Sequence, residues 1–232
     1  MKNSIKALVF LFSLLMFTCS SDDGNNNGGG GGATDTATYR ITFTPTFTAT
    51  THPVDYPNNA GFASMMVVMH TAGTTVFRVG QNASDGLESY AEEGITSGLE
   101  AELMPLEGGN NPTIVRIGNN IDATGSDFID ITITPATTFL SFISRVSPSP
   151  DWFAGLDAIS LLDGNQLLID EMEILLSPFD AGTDTGVTYD SPDSDGNTSI
   201  IEIEGAPFLD PALNRVFPIG TLKIERTDNG IQ

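Results

Sequence analysis

Aspartates in two loop segments are the residues whose type and spacing could do chemistry. Residues 147–155 read SPSPDWFAG, and residues 177–189 read SPFDAGTDTGVTY. Ca²⁺ takes about six to eight oxygen ligands, and loop carboxylates with nearby carbonyl groups supply such oxygens. Asp180 and Asp184 flank Gly182, so a curled loop would direct both carboxylates at one centre. Asp151 would reach the same centre from a second loop.

The same pattern has a second interpretation. Aspartate in a glycine-rich loop often forms a turn by accepting hydrogen bonds from nearby backbone amides. The residue types and their spacing are compatible with both interpretations, metal ligand and turn former.

Other possible sites carry weaker signals. Residues 191–196 with Glu202 half-match the EF-hand loop, but Ser191 stands where the first aspartate belongs and strands are predicted around it, so a solvated turn is the better interpretation. His52 and His70 are the only histidines and have no paired spacing, which argues against a histidine metal site. We expect His70 to be partly buried and hydrogen bonded.

The composition allows a Ser-His-Asp triad, but the sequence shows no motif that nominates one. It contains no G-x-S-x-G elbow, and no carboxylate pair is singled out for glycoside hydrolysis. Glu92 and Glu93 fall on a short helical segment, where a charged surface is the default interpretation. Trp152 is interpreted as a core residue that closes the fold, with an exposed binding surface as the alternative. The chain is therefore predicted not to be an enzyme.

Strands must position these loops. Tyr39, Ile41 and Phe43 alternate with polar residues, which is typical of a half-buried strand. Strands are predicted at 39–47, 62–70, 113–117, 128–134, 138–144, 167–176, 199–204 and 221–226, and short helices at 85–93 and 101–106. Many short strands separated by turn residues predict an all-β fold, an antiparallel sandwich or barrel, in one domain over residues 37–227 with a short tail at 228–232.

The charge balance excludes one class of partner. The formal net charge is −21, from 9 basic and 30 acidic residues. Nucleic acid is not an expected partner, because phosphate binding needs clustered lysine and arginine. Cations or basic partners suit such a chain, although most of the carboxylates serve solubility.

The first 36 residues resemble an export signal and a tether. Residues 1–18 carry Lys2 and Lys6 before an apolar run that is short for a membrane span. Residues 15–19, LMFTC, resemble the lipobox of bacterial lipoproteins, which predicts lipidation of Cys19, the only cysteine. The following SSDDG resembles the surface-export signal of some Bacteroidetes lipoproteins. The Asn/Gly-rich remainder of residues 19–36 predicts a flexible tether. The resemblance of the two preceding segments to lipoprotein signals implies lipid anchoring in the cell envelope, at the outer membrane with surface exposure.

Five ordered motifs resemble the spondin N-terminal domain family. SPSPDW is intact at 147–152, and DAGTDTG at 180–186 differs from the family's DAGTDSG at Thr185. The HP and YP pairs at 52–53 and 56–57, GQNASDG at 80–86 and AEEG at 91–94 match further family elements, whereas Gly61 replaces a family histidine. The resemblance implies a β-sandwich similar to a C2 domain, with a Ca²⁺ site formed by Asp151, Asp180 and Asp184.

The resemblance also implies a class of function. Eukaryotic relatives are extracellular matrix and adhesion proteins, although their flanking repeats and cysteines are absent from this sequence. We expect a Ca²⁺-dependent binding or adhesion module, anchored to the membrane by lipid on Cys19, with an extracellular protein or glycan as ligand. One alternative is a structural surface lipoprotein in which Ca²⁺ only makes loops rigid, and a more distant one is a secreted hydrolase with a deep cleft.

Overall fold

The computed structural model describes residues 36–104 and 112–228. The predicted signal segment, Cys19, most of the predicted tether and residues 229–232 lie outside the described residues. The strands are β1 (Ala37–Pro45), β2 (Gly61–Phe62), β3 (Met66–His70), β4 (Thr113–Ile117), β5 (Ile121–Asp122), β6 (Asp127–Ile133), β7 (Phe139–Ser147), β8 (Trp152–Ser160), β9 (Glu171–Asp180), β10 (Ile201–Glu202), β11 (Leu209–Asp210), β12 (Arg215–Val216) and β13 (Gly220–Arg226). The helices are α1 (Asp85–Glu93) and α2 (Thr96–Leu103).

The strands form an antiparallel β-sandwich, which confirms the predicted all-β class. The main path runs β4-β3-β7-β8-β9-β13-β1-β6. Strand β9 joins the two halves, because residues 171–176 pair with β13 and residues 177–180 pair with β8. The end of β9 therefore lies beside the start of β8, so the segment with Asp151 ends where the loop with Asp180 and Asp184 begins.

The core between the two halves follows the alternation of the sequence. Tyr39, Ile41 and Phe43 on β1 are fully buried, and Ile131 and Ile133 on the neighbouring β6 are buried with them. Apolar side chains on one face of each strand remove their surface from water, which is the main favourable contribution to folding. The polar residues between them face outward, as the period of two requires.

A second core lies under the helices. Leu87 and Tyr90 of α1 and Leu99 of α2 pack with Ile143 and Phe153 of the sheet. Helix α1 spans the predicted residues and begins where the Ser84 hydroxyl accepts a hydrogen bond from the Leu87 amide at 3.3 Å, a typical N-cap. Neither helix in the described part of the chain is long and apolar enough to cross a membrane.

Several predicted boundaries were wrong for local reasons. Residues 62–70 divide into β2 and β3, and the predicted strand 167–176 lies at Glu171–Asp180. The Asp163 carboxylate accepts the Leu167 amide at 2.9 Å and closes a turn there. Strand 199–204 is reduced to Ile201–Glu202, and helix 101–106 lies at Thr96–Leu103. Strand β8 was missed, because its residues do not alternate between apolar and polar.

Candidate metal centre

The ends of two neighbouring strands bring the predicted aspartates into one loop cluster. Asp151 directly precedes β8, and Asp180 is the last residue of β9. Trp152 of β8 is the register partner of Asp180, and the Ala181 amide donates to the Asp151 carbonyl oxygen at 3.3 Å. The position of Asp151 beside Asp180 is thus a consequence of strand pairing.

The loop after β9 turns back on itself at Gly182. This glycine has a φ of 75°, and a Cβ atom there would lie 2.3 Å from the Thr198 carbonyl oxygen, so a larger residue would need the loop to move. The Gly182 amide donates to Asp180 Oδ1 at 2.8 Å, and the Gly182 carbonyl accepts the Thr198 amide at 2.8 Å. As a result, the backbone amides of the next two residues face Asp151.

Asp151 is fully buried, and its two carboxylate oxygens differ. Oδ2 accepts hydrogen bonds from the Thr183 amide at 2.8 Å and the Asp184 amide at 3.1 Å. Oδ1 is buried and has no hydrogen-bond partner among the described residues. Burial, and then the negative charge of Asp180, raise the pKa of Asp151 to about 6. One oxygen of this carboxylate is therefore satisfied, and the other remains available to a ligand.

The contacts of Asp180 and Asp184 are compatible with both roles considered for them, metal ligand and turn former. Burial raises the pKa of Asp180, and the negative charge of Asp184 adds to this rise. Hydrogen bonds from Gly182 and Trp152 oppose it in part. Asp184 is 8% exposed. Its Oδ1 accepts the Gly186 amide at 2.6 Å, and its Oδ2 accepts the Ser194 amide at 3.3 Å. Asp184 thus stabilises the turn, and each of its oxygens keeps a further lone pair for other contacts.

Glu92 is a member of this cluster that the sequence did not indicate. It was interpreted as a surface residue of a helix, but α1 places it half-buried against the loop after β9. Burial raises the pKa of Glu92, a hydrogen bond with Thr183 opposes the rise, and Glu88, Asp193 and Asp151 add to it. The AEEG match at 91–94 was the available signal, but the packing of α1 on the sheet is what directs Glu92 to this site.

The guanidinium of Arg145 lies near these acids but is bound to backbone. Its Nε donates to the Ala91 carbonyl oxygen at 2.8 Å, and its Nη2 donates to the carbonyl oxygens of Glu92 and Ser149. Burial lowers the pKa of Arg145, while Asp151 and Glu92 oppose that shift through their charges. Because Arg145 offsets only one charge, the cluster retains an excess of negative charge.

The chemistry of the donors suits a hard cation. Carboxylates of Asp151, Asp180 and Glu92, together with the Thr183 hydroxyl, offer only oxygen, which is the ligand type of Ca²⁺. Within residues 36–104 and 112–228, no three side chains of His, Cys, Asp or Glu are arranged as a complete ligand group. The carboxylates share a cluster, but Asp151, Asp180 and Asp184 each direct at least one oxygen at a backbone amide.

Neither histidine takes part in this cluster. His70 is fully buried, as is Ser141, and His70 Nε2 lies 2.9 Å from Ser141 Oγ, which in turn lies 3.1 Å from Asp157 Oδ1. The serine stands between the histidine and the aspartate, which is not the order of a nucleophile triad. His52 is also buried, and burial lowers its pKa. Trp152 is 3% exposed, which confirms its predicted place in the core.

Comparison with known proteins identifies the family. The model of the spondin N-terminal domain, Spondin_N, matches residues 37–210. The chain belongs to the spondin N-terminal domain family. Rat (Rattus norvegicus) Spondin-2 is 32% identical over 163 residues, which is 67% of this chain and 48% of that protein. Human (Homo sapiens) Spondin-1 is 28% identical over 210 residues, 84% of this chain and 26% of that protein.

The spondin N-terminal match includes the whole candidate metal centre. Asp151, Asp180, Asp184 and Glu92 all lie within residues 37–210. This chain spans about half or less of the length of the curated relatives that it matches, so the family assignment applies to the domain.

Proposed function

We propose that this spondin N-terminal domain is a Ca²⁺-dependent binding module on a lipid-anchored surface protein, and that Asp151, Asp180 and Asp184 hold the ion. The unpartnered Oδ1 atom of Asp151, buried beside a second carboxylate, supports this proposal most directly. A buried carboxylate without a partner is costly, and an oxygen-coordinated cation would remove that cost. Glu92 and Thr183 line the same cluster and could supply further oxygens.

The ion would have two effects, one on the charge of the cluster and one on the conformation of the loop after β9. It would neutralise the excess carboxylates and fix the loop after β9 against the start of β8. A fixed loop end of a sandwich offers a defined surface to an extracellular protein or glycan. His70 and Ser141 are buried, and the serine stands between the histidine and the partly exposed Asp157, so a non-catalytic role suits the molecule better than the hydrolase alternative.

Calorimetric titration of the purified protein with CaCl₂ tests the metal site. The expected result is saturable binding of one ion, lost in Asp151→Asn and Asp180→Asn and retained in Glu173→Gln. Glu173 is an exposed acid of β9, seven residues before Asp180, so its variant removes the same charge at a distance. Equal binding by all variants would contradict the assignment and leave the aspartates as turn formers.

A second measurement separates binding from a structural role of the ion. Immobilised extracellular matrix proteins and glycans are tested for capture of the wild-type protein in CaCl₂ and in chelator. Capture that depends on calcium and is lost in Asp180→Asn supports a binding module. Calcium binding without any calcium-dependent capture would favour the structural alternative.

A further inference from the structure

A second acidic cavity lies apart from the candidate metal centre, between the turn after β1 and the residues that follow the DAGTDTG loop. Its volume is about 680 Å³. The lining residues are Ala49, Pro53, Asp55, Tyr56, Asn58, Thr188, Tyr189 and Asp190. None of them is basic, so the charge of the cavity comes from its two aspartates.

The hydroxyl of Tyr189 is buried in the wall of this cavity without a partner. Tyr189 is 3% exposed, and its ring packs against Trp152 and Phe208 with centroids 5.2 Å and 5.8 Å away. Its hydroxyl makes no hydrogen bond within the described part of the chain. Tyr56 and Asp55, which both line the cavity, are the groups that it interacts with electrostatically. Because Tyr189 and both of these neighbours line the cavity, a group bound there is the nearest candidate partner for the unsatisfied hydroxyl.

Asp55 and Asp190 form an acidic rim. Both are exposed, and neither forms an ion pair with any described lysine or arginine. Asp55 has a φ of 50°, a left-handed conformation that non-glycine residues seldom adopt and that is often found at binding sites. Tyr56 offers its ring alone, because its hydroxyl already donates to the Phe47 carbonyl oxygen at 2.9 Å.

The walls of the cavity are preformed. Phe47 packs against His52 and Tyr56 with ring centroids 5.1 Å and 5.0 Å away. The His52 ring also contacts Thr51 Oγ1 at 2.9 Å and the Phe217 carbonyl oxygen at 3.2 Å. These buried contacts fix the turn that carries Asp55, so little ordering would accompany binding.

We infer that this cavity binds a basic side chain of a partner polypeptide, a lysine ammonium or an arginine guanidinium. The carboxylates of Asp55 and Asp190 would balance its charge, and the Tyr56 ring offers a face for a cation–π contact. Tyr189 Oη can accept one of its N–H groups. An anionic ligand would be repelled by the same carboxylates and by the net charge of −21.

Titration followed by NMR tests this inference on the purified protein. The probes are N-acetyl-lysinamide and N-acetyl-argininamide, with N-acetyl-norleucinamide as the uncharged match of the lysine probe. We expect a basic probe to shift the amide signals of Asp55, Asn58 and Asp190, and the norleucine probe to leave them unchanged. Equal shifts with the norleucine probe, or no shifts with either basic probe, would overturn the inference.

Three variants locate the interaction. Asp55→Asn and Tyr189→Phe should each weaken binding of the basic probe by about fivefold, while Glu173→Gln should leave it unchanged. Tyr189→Phe removes only an unpartnered hydroxyl, so the fold should persist. Unchanged affinity in both cavity variants would overturn the assignment.

The titrations are run in CaCl₂ and again in chelator. We expect the basic probe to bind in both, because neither rim aspartate belongs to the candidate metal centre. A Ca²⁺ titration that shifts these signals and displaces the probe would show that the cavity is a metal site and overturn the inference.

Discussion

The indole of Trp152 meets the ring of Tyr189 edge-on, with centroids 5.2 Å apart. Trp152 follows Asp151 in sequence, and Tyr189 lies five residues after Asp184. This aromatic contact therefore fixes the far end of the DAGTDTG loop to the strand whose start carries the buried carboxylate. Trp152 is the register partner of Asp180 in the candidate metal centre, and Tyr189 lines the second acidic cavity, so this ring contact links the two acidic sites.

Calcium should raise the melting temperature of the protein. An ion that binds only the folded state stabilises it by about 2.7 kcal/mol at a hundredfold excess over Kd, which corresponds to about 5–10 °C for a chain of this size. Mg²⁺ should be a poor substitute, because it demands a smaller and nearly octahedral shell. Differential scanning calorimetry in CaCl₂, MgCl₂ and chelator measures the shift.

Differential scanning calorimetry of Asp180→Asn and Asp184→Asn tests whether these two residues are calcium ligands. Both variants should lose the calcium-dependent rise, and Glu173→Gln should keep it. A wild-type melting curve that calcium leaves unchanged would contradict the metal site and support turn formation as the role of these aspartates.

Asp151→Asn should remove the stabilisation by calcium without destabilising the calcium-free protein. In chelator at neutral pH, the wild-type protein buries a carboxylate whose Oδ1 has no partner. The amide oxygen of asparagine can still accept the Thr183 and Asp184 amides, and the charge is gone. We expect the free energy of unfolding in urea to stay level or rise by about 1–2 kcal/mol, with the calcium response lost.

Asp184→Asn is the matched comparison in chelator. Each Asp184 oxygen accepts a backbone amide, so replacing one oxygen by an NH₂ group removes an acceptor and should cost about 1 kcal/mol. If Asp151→Asn were the more strongly destabilised of the two, the Asp151 carboxylate would be a structural group and not a metal ligand.

The strand patterns predicted much of the fold. Where apolar and polar residues alternate, as in β1 and β6, the predicted strand lies within two residues of the observed one. Strand β8 is different: Trp152, Phe153, Ala154 and Gly155 are all buried, because helix α1 and residues near Phe77 cover the face that would otherwise meet water. A strand buried on both faces has no period of two, so local pattern could not reveal it.

Part of the candidate metal centre could be predicted from the sequence. Asp151, Asp180 and Asp184 were predicted from loop composition and from family resemblance. Glu92 depends on the docking of α1 against the sheet, and the orphan Oδ1 of Asp151 depends on which oxygen faces the Thr183 amide. Both follow from tertiary packing, which a motif does not encode.

Cys19 should be the mature N-terminus and carry lipid. The lipobox-like LMFTC predicts cleavage before this residue and attachment of diacylglycerol to its sulfur. More than one acyl chain is needed for stable anchoring, because a single chain binds membranes only marginally. Mass spectrometry of the protein from a membrane fraction measures the modification. An unmodified Cys19, or a product cleaved elsewhere, would contradict this prediction, and Cys19→Ala should release the protein from the membrane.

The stability of the metal-free protein should fall as pH rises from about 4 to 6. The pKa of Asp151 rises from 3.8 to about 6 on folding, so in this window the folded chain holds a proton that the unfolded chain has released. The free energy of unfolding then decreases with pH, by roughly 2–3 kcal/mol for this group. Half of the folded molecules have lost this proton at pH 6, and the loss of stability is complete about one pH unit higher.

Other carboxylates act in the opposite direction. Arg40 lowers the pKa of Asp130, and the Leu167 and Asn165 amides lower that of Asp163. The contribution of Asp151 is therefore measured as the difference between wild type and Asp151→Asn, which lacks the titrating group. In chelator, wild type should lose stability relative to the variant between pH 4 and 6. In saturating CaCl₂ the wild type should instead gain on the variant as pH rises, because the ion binds the ionised carboxylate. Difference curves that stay flat in both buffers would show that Asp151 has no raised pKa and does not bind the ion.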